Sequence, residues 1–155
     1  MNANELRATH DRGIFRQSCA IRCDVHASPD AIWAILTDAA RYPQWNSTVM
    51  SLEGEIRPGE RLRLRVTLDP KRTFSPKIRK LDENEMVWTD GFAPMFRGVR
   101  IFKLTPKENG VTEFAMEEVF SGAMLPLIKG SLPDFGAAFE AFARDLKRAA
   151  EGGAS

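Results

Sequence analysis

Arg100 and Glu118 are the side chains of this sequence best placed to do chemistry. Both lie in runs of alternating residues, 98–106 and 111–120, that the turn Glu108-Asn109-Gly110 folds into a hairpin. Counting from that turn sets Leu104 opposite Phe114, Phe102 opposite Met116, Arg100 opposite Glu118 and Gly98 opposite Phe120. Alternation sends one face of the hairpin inward, so Arg100 and Glu118 stand among Phe102, Leu104, Phe114, Met116 and Phe120. Two opposite charges aimed at an apolar interior are costly to desolvate unless they meet. They form either a self-contained ion pair or the polar end of a pocket. In the second case the planar fork of Arg100 would hold a carboxylate, phenolate or carbonyl oxygen.

Around this pair the chain supplies Trp45, Trp88, Phe92, Met95, Phe96, Phe102, Phe114, Met116, Phe120, Phe135 and Phe139. Such side chains fill ordinary cores, and they also wall ligand pockets that carry a few convergent polar groups. The expected ligand-binding set is Trp45, Trp88, Phe92, Phe96, Arg100, Phe102, Met116, Glu118, Phe120, Phe135 and Phe139. Residues 91–97 read as a loop with Phe92, Met95 and Phe96 on it. Large apolar side chains on a loop suggest a pocket lid or a homodimer patch. Leu125-Pro126-Leu127-Ile128 reads as a gate or as the entry to the last helix.

Other chemistry is sparsely provided. The histidines are His10, in a stretch that looks like a tail, and His26, on an outward position. No nucleophile elbow, phosphate-binding loop, dinucleotide fingerprint or HExxH is present. Asp38, Asp90 and Glu118 are the candidate acids or bases, and one would need a raised pKa to serve. Cys19 and Cys23 sit four apart in an expected strand, about 13 Å from each other, too far to bridge. They read as small buried hydrophobes. No metal site and no cofactor are expected. Arg61, Arg63 and Arg65 alternate with Leu62 and Leu64 and read as a solvated sheet face.

The chain has 155 residues, 43% apolar and 28% charged, and a formal charge of +1. This fits a single soluble domain with its own core. So even a balance gives no nucleic-acid footprint. No apolar run reaches the roughly 20 residues of a membrane span, and the first 13 show no secretion core, so a cytoplasmic location is expected. Residues 1–13 and 152–155 are expected as flexible tails around one domain at 14–151.

The elements follow from period and punctuation. Residues 15–26 alternate as a first strand. Ser28-Pro29-Asp30 caps a helix carrying Ile32, Trp33, Ile35 and Leu36. Residues 38–45 give a second short helix or turn, broken at Tyr42-Pro43. Met50, Leu52 and Ile56 face inward on the next strand. Leu62, Leu64, Val66 and Leu68 do so on a strand turned at Asp69-Pro70. Residues 74–81 and 86–90 precede the hairpin. In the last helix, near 132–149, Leu132, Phe135, Phe139, Phe142, Leu146 and Ala149 form one apolar stripe, with a break expected at 130–133 before Pro133. Strands grouped together with helices set apart give an α+β fold.

This order, with Ser28-Pro29-Asp30-Ala31-Ile32-Trp33, Tyr42-Pro43-Gln44-Trp45-Asn46, Pro58-Gly59, residues 110–122, and Leu146-Lys147 through Glu151, resembles the START-like or Bet v 1-like (SRPBCC) superfamily, and within it the bacterial polyketide cyclase/dehydrase and lipid-transport proteins. The resemblance implies a helix-grip fold, a curved six- or seven-stranded antiparallel sheet around a long C-terminal helix. It implies a small hydrophobic or amphipathic ligand held between sheet and helix by a carrier or sensor. It also leaves open a cyclase- or aromatase-like enzyme and an interaction module like the chaperone activators of this fold.

Overall fold

The alternating segments pair as antiparallel strands in the computed structural model of the chain, which describes residues 6–92, 94–128, 130 and 134–152. Strands β1 (Thr9–Arg12) and β2 (Arg16–Val25) come first, then α1 (Pro29–Leu36), a single 3-10 turn at Ala39–Arg41, and α2 (Tyr42–Trp45). Seven strands follow: β3 (Val49–Glu53), β4 (Arg63–Val66), β5 (Asp69–Phe74), β6 (Lys77–Leu81), β7 (Glu85–Phe92), β8 (Phe96–Pro106) and β9 (Thr112–Ser121). The short α3 (Leu125–Ile128) and the long α4 (Phe135–Glu151) close the chain. Six strands form one sheet in the order β1-β2-β9-β8-β7-β6, and β3-β4-β5 form a second. The sheets are stitched at one point. The Leu62 N–H donates to the Pro76 carbonyl and the Ile78 N–H to the Glu60 carbonyl, both at 2.8 Å. This is the expected α+β helix-grip architecture.

Local chemistry explains the helices. The Ser28 hydroxyl accepts from the Ala31 N–H at 3.2 Å and caps α1. Asp134 caps α4 in the same way, accepting from the Gly136 N–H at 2.9 Å. Phe139, Phe142, Ala143 and Leu146 form the buried stripe of α4, which rests on β2 and α1. Of the positions expected around its start, Leu132 and Pro133 lie outside the described residues. Among those described, no helix is long and apolar enough to cross a membrane.

Several expectations need correction. The stretch read as an N-terminal tail carries β1, whose Thr9, His10, Asp11 and Arg12 pair with Ala20, Cys19, Ser18 and Gln17. The turn expected at Asp69-Pro70 comes two residues earlier, leaving Leu68 37% exposed. Pro70 sits instead in β5, an edge strand, where a missing N–H is tolerated. Met50 is 39% exposed because the β3–β4 register shifts between Val49 and Ser51, and a bulge there moves the buried position to Val49. Tyr42 stays helical before Pro43; its buried hydroxyl donates to the Leu36 carbonyl at 2.7 Å. The loop expected over 91–97 is mostly strand, since Gly91 pairs with Arg97 and Phe92 with Phe96. Arg61, Arg63 and Arg65 are exposed, with Arg63 near Glu53 at 3.7 Å.

Candidate functional site

Strand register lays one row of side chains across the inner face of the large sheet. His10 stands opposite Cys19, Cys19 opposite Glu118, Glu118 opposite Arg100, Arg100 opposite Trp88 and Trp88 opposite Ile78. Directly paired residues share a face. The turn fixes this row, because Asn109 and Gly110 adopt φ 61° and 74°, the left-handed geometry that a tight hairpin needs.

Arg100 Nε donates to Glu118 Oε2 at 3.2 Å, and the two side chains are 18% and 15% exposed. Arg100 Cζ lies 5.2 Å from the centre of the Phe139 ring, a cation–π distance. Among the described residues the guanidinium makes no second hydrogen bond, so the donors on both terminal nitrogens are available. Glu118 Oε1 is likewise uncommitted. Trp88, next in the row, has a buried indole N–H without a partner. A polar cluster with unused donors, set among rings, suits an oxygen-bearing guest better than a sealed structural pair does.

The Phe139 ring beside Arg100 belongs to a continuous train. Phe96 stacks on Phe120 at 5.9 Å, Phe120 on Phe135 at 5.0 Å, and Phe135 meets Phe139 edge-on at 6.4 Å. The train leads to an open cleft of about 520 Å³, bounded in part by Phe120, Phe135, Cys19, His10, Gln17 and Asp134. Cys19 and Phe120 touch both regions, since Cys19 is paired with Glu118 and Phe120 lies two residues further along β9.

The expected site residues thus divide. Phe120 and Phe135 line the cleft; Phe96, Phe139, Arg100 and Glu118 adjoin them without lining it. Trp45, Phe102 and Met116 belong to the packed middle instead. There Phe142 touches Trp45 at 5.6 Å, Phe102 at 6.0 Å and Phe114 at 6.2 Å. Trp88 bridges the two, in register with Arg100 and 5.1 Å from Phe102. Phe92 ends β7, and its side chain lies outside what the structure describes. Rings fill the middle of the space expected between sheet and C-terminal helix; one open cleft lies at its end, and a second, of about 490 Å³, runs along Ala20, Arg22, Ile101, Lys103 and Glu117. Of the candidate acids, Asp90 accepts from the N–H of Gly91 at 2.8 Å.

The sequence reading missed the wall made by the N-terminal segment. The Ala8 N–H donates to Glu140 of α4 at 2.9 Å, which lays β1 along the helix and brings His10 to its first turn. A Cβ on Gly136 would lie 2.9 Å from His10 Nε2, the tip of an exposed side chain that can swing aside.

Neither thiol is poised to react. Burial first, and Asp134 next, push Cys19 from 9.0 up to about 11; burial pushes Cys23 equally far. Only the thiolate is nucleophilic, so iodoacetamide at pH 8 should label folded protein far more slowly than urea-unfolded protein. Folded thiols hold their protons more tightly than unfolded ones. Their contribution is therefore complete below pH 9 and is lost as the pH climbs towards 11. Urea midpoints should fall across that window, and flat midpoints would contradict the burial. Among the described residues, no group of three or more His, Cys, Asp or Glu is placed to hold a metal ion.

Comparison with known proteins agrees with this architecture. Residues 16–151 match the family model described as polyketide cyclase / dehydrase and lipid transport. A START superfamily protein from Mycobacterium smegmatis has a similar structure, with TM-score 0.66 and 20% identity over 93% of this chain and 99% of that one. CalU16 from Micromonospora echinospora matches with TM-score 0.62 and 15% identity, over 94% and 83%. A point mutant of norcoclaurine synthase from Thalictrum flavum, in complex with a transition state analogue, matches with TM-score 0.68 and 12% identity, over 94% and 100%. At these identities the likeness shows fold alone. No curated protein gives a significant match.

Proposed function

The chain belongs to the polyketide cyclase / dehydrase and lipid transport family, and from that premise we propose that it binds one small amphipathic molecule at the cleft end. The apolar body of the guest lies along Phe96, Phe120, Phe135 and Phe139. Its oxygen-bearing group reaches the free donors of Arg100. The single observation that carries this reading is the one-pronged contact of Arg100 with Glu118, which leaves both terminal nitrogens unused beside the Phe139 ring. An ion pair kept only for structure would gain by engaging both arms of the fork.

A carrier or sensor fits better than a cyclase-type enzyme. One oxygen of Glu118 is held by Arg100 at 3.2 Å, and Cys19 is held as a neutral thiol by burial. At Arg100, Glu118 and Cys19 the wall's chief contribution is then positioning rather than proton transfer. Native mass spectrometry with decanoate and decanol tests the proposal. The carboxylate should give a one-to-one complex that survives at lower concentration than the alcohol complex. Equal retention of the two, or none of either, would contradict it.

A further inference from the structure

Charge is balanced over the whole chain but not within it. Residues 49–81, which hold strands β3 to β6, carry nine Lys and Arg against Glu53, Glu55, Glu60 and Asp69. Nine cations less four carboxylates give +5, whereas the whole chain is +1. Ion pairs absorb part of the excess. Arg57 lies 2.6 Å from Glu55 and 3.5 Å from Glu60, and Arg63 lies 3.7 Å from Glu53. Lys80 takes up two acids that follow in the chain, Asp82 at 3.4 Å and Glu85 at 3.1 Å. Among the described residues, Arg61, Arg65, Lys71, Arg72, Lys77 and Arg79 then meet no carboxylate. The acids left over are Asp69 and Glu83, the latter exposed in the turn beyond Lys80.

Four of these six cations share one face. On β4, Leu62 and Leu64 are buried while Arg61, Arg63 and Arg65 alternate with them and stand exposed. Arg61 pairs with Lys77 across the junction of the two sheets, and Lys77 pairs with Thr89. Arg79 Nε donates to the Thr89 hydroxyl at 2.9 Å. Directly paired residues share a face, so Arg65, Arg63, Arg61, Lys77 and Arg79 form one arc. By alternation it lies on the side opposite to Trp88 and Arg100. Backbone carbonyls hold the arc in place. Arg61 Nη1 donates to that of Ser75 at 2.6 Å, and Arg65 Nη2 to that of Pro70 at 3.0 Å. Each guanidinium keeps further donors. The Arg65 end also has apolar neighbours. Met50 precedes Ser51, the partner of Arg65, and Leu68 follows β4; they are 39% and 37% exposed.

We propose that this outer face docks an acidic, extended segment of a partner protein, with carboxylates along one side and an apolar side chain at the end. Alternate side chains of an extended segment recur about every 6.6 Å, the pitch of Arg61, Arg63 and Arg65 on β4. The planar arginine fork matches a carboxylate. The apolar side chain rests on Met50 and Leu68. A nucleic acid fits less well. Its phosphates form an unbroken line that would meet Glu53 beside Arg63, and the large apolar side chains exposed on these strands include no ring for a base to stack on. A second copy would set this arc against an identical arc of cations. Docking here does not rest on the ligand-binding reading, since the arc and the cleft lie on different faces.

Fluorescence anisotropy at low salt separates the outcomes. The probes are a fluorescein-labelled peptide of alternating glutamate and threonine with leucine at both ends, an isomer with its glutamates in one block, and labelled oligothymidine. Wild type should bind the alternating peptide at least roughly threefold more tightly than either other probe. Arg61→Gln with Arg65→Gln should lose roughly tenfold or more. Lys77→Gln, which removes no bond within the described residues, should lose about threefold at an unchanged melting temperature. Arg144→Gln with Arg148→Gln, an equal change of charge at exposed positions of α4, should bind like wild type. Wild type that ignores the alternating peptide, or that prefers oligothymidine or the block isomer, would overturn the proposal. So would a Lys77→Gln variant that binds like wild type, or equal losses from the β4 and α4 pairs.

Discussion

Truncating Phe142 to alanine should lower unfolding free energy by about 3–5 kcal/mol. Its ring is 3% exposed and touches Tyr42, Trp45, Phe102 and Phe114 at centroid distances of 5.6 to 6.3 Å. These neighbours stand on three different structural units, α2, β8 and β9, so collapse into the void would drag backbone along. The same truncation at Phe135 should cost about 1–2 kcal/mol, because that ring is only part-buried at the open end. Urea denaturation compares the two directly. Equal losses would mean that the cleft end is packed like the middle, and the division drawn between them would fall.

Arg100→Met should destabilise by about 2–3 kcal/mol, since it strands the Glu118 carboxylate among rings. That is less than a fully buried pair would lose, because both side chains keep some contact with water at 18% and 15% exposure. Adding Glu118→Leu should recover most of the loss. A coupling energy measured by this double-mutant cycle near zero would show that the two side chains are solvated separately.

What the sequence made legible was local or periodic. The hairpin register was legible from the turn at Asn109-Gly110, and β8 pairs with β9 in the register counted from it. The stripe of α4 follows from residues recurring at three and four. The N-terminal strand was hidden because Thr-His-Asp-Arg has no apolar alternation. Its place depends on pairing with β2 and on the bond from Ala8 to Glu140, one of them 132 residues away in sequence. The misplaced turn at Asp69-Pro70 shows another limit. Proline reads as a breaker, yet an edge strand accommodates it. The Arg100–Glu118 pair was legible from alternation, but the whereabouts of the open space was not. It depends on how far Phe142 and Phe102 fill the middle, which alternation along one strand does not reveal.

Fluorescence titration with two probes of similar shape tests the anchor most directly: anilinonaphthalene sulfonate, an anion, and the neutral phenylnaphthylamine. Wild type should bind both at one site and favour the sulfonate if the unused nitrogens of Arg100 anchor the guest as proposed. The variant carrying Arg100→Met and Glu118→Leu should keep the neutral probe and lose roughly tenfold or more of sulfonate affinity, about the worth of one charge-assisted hydrogen bond. If the sulfonate binds wild type and variant alike, Arg100 is not the anchor and the account is contradicted.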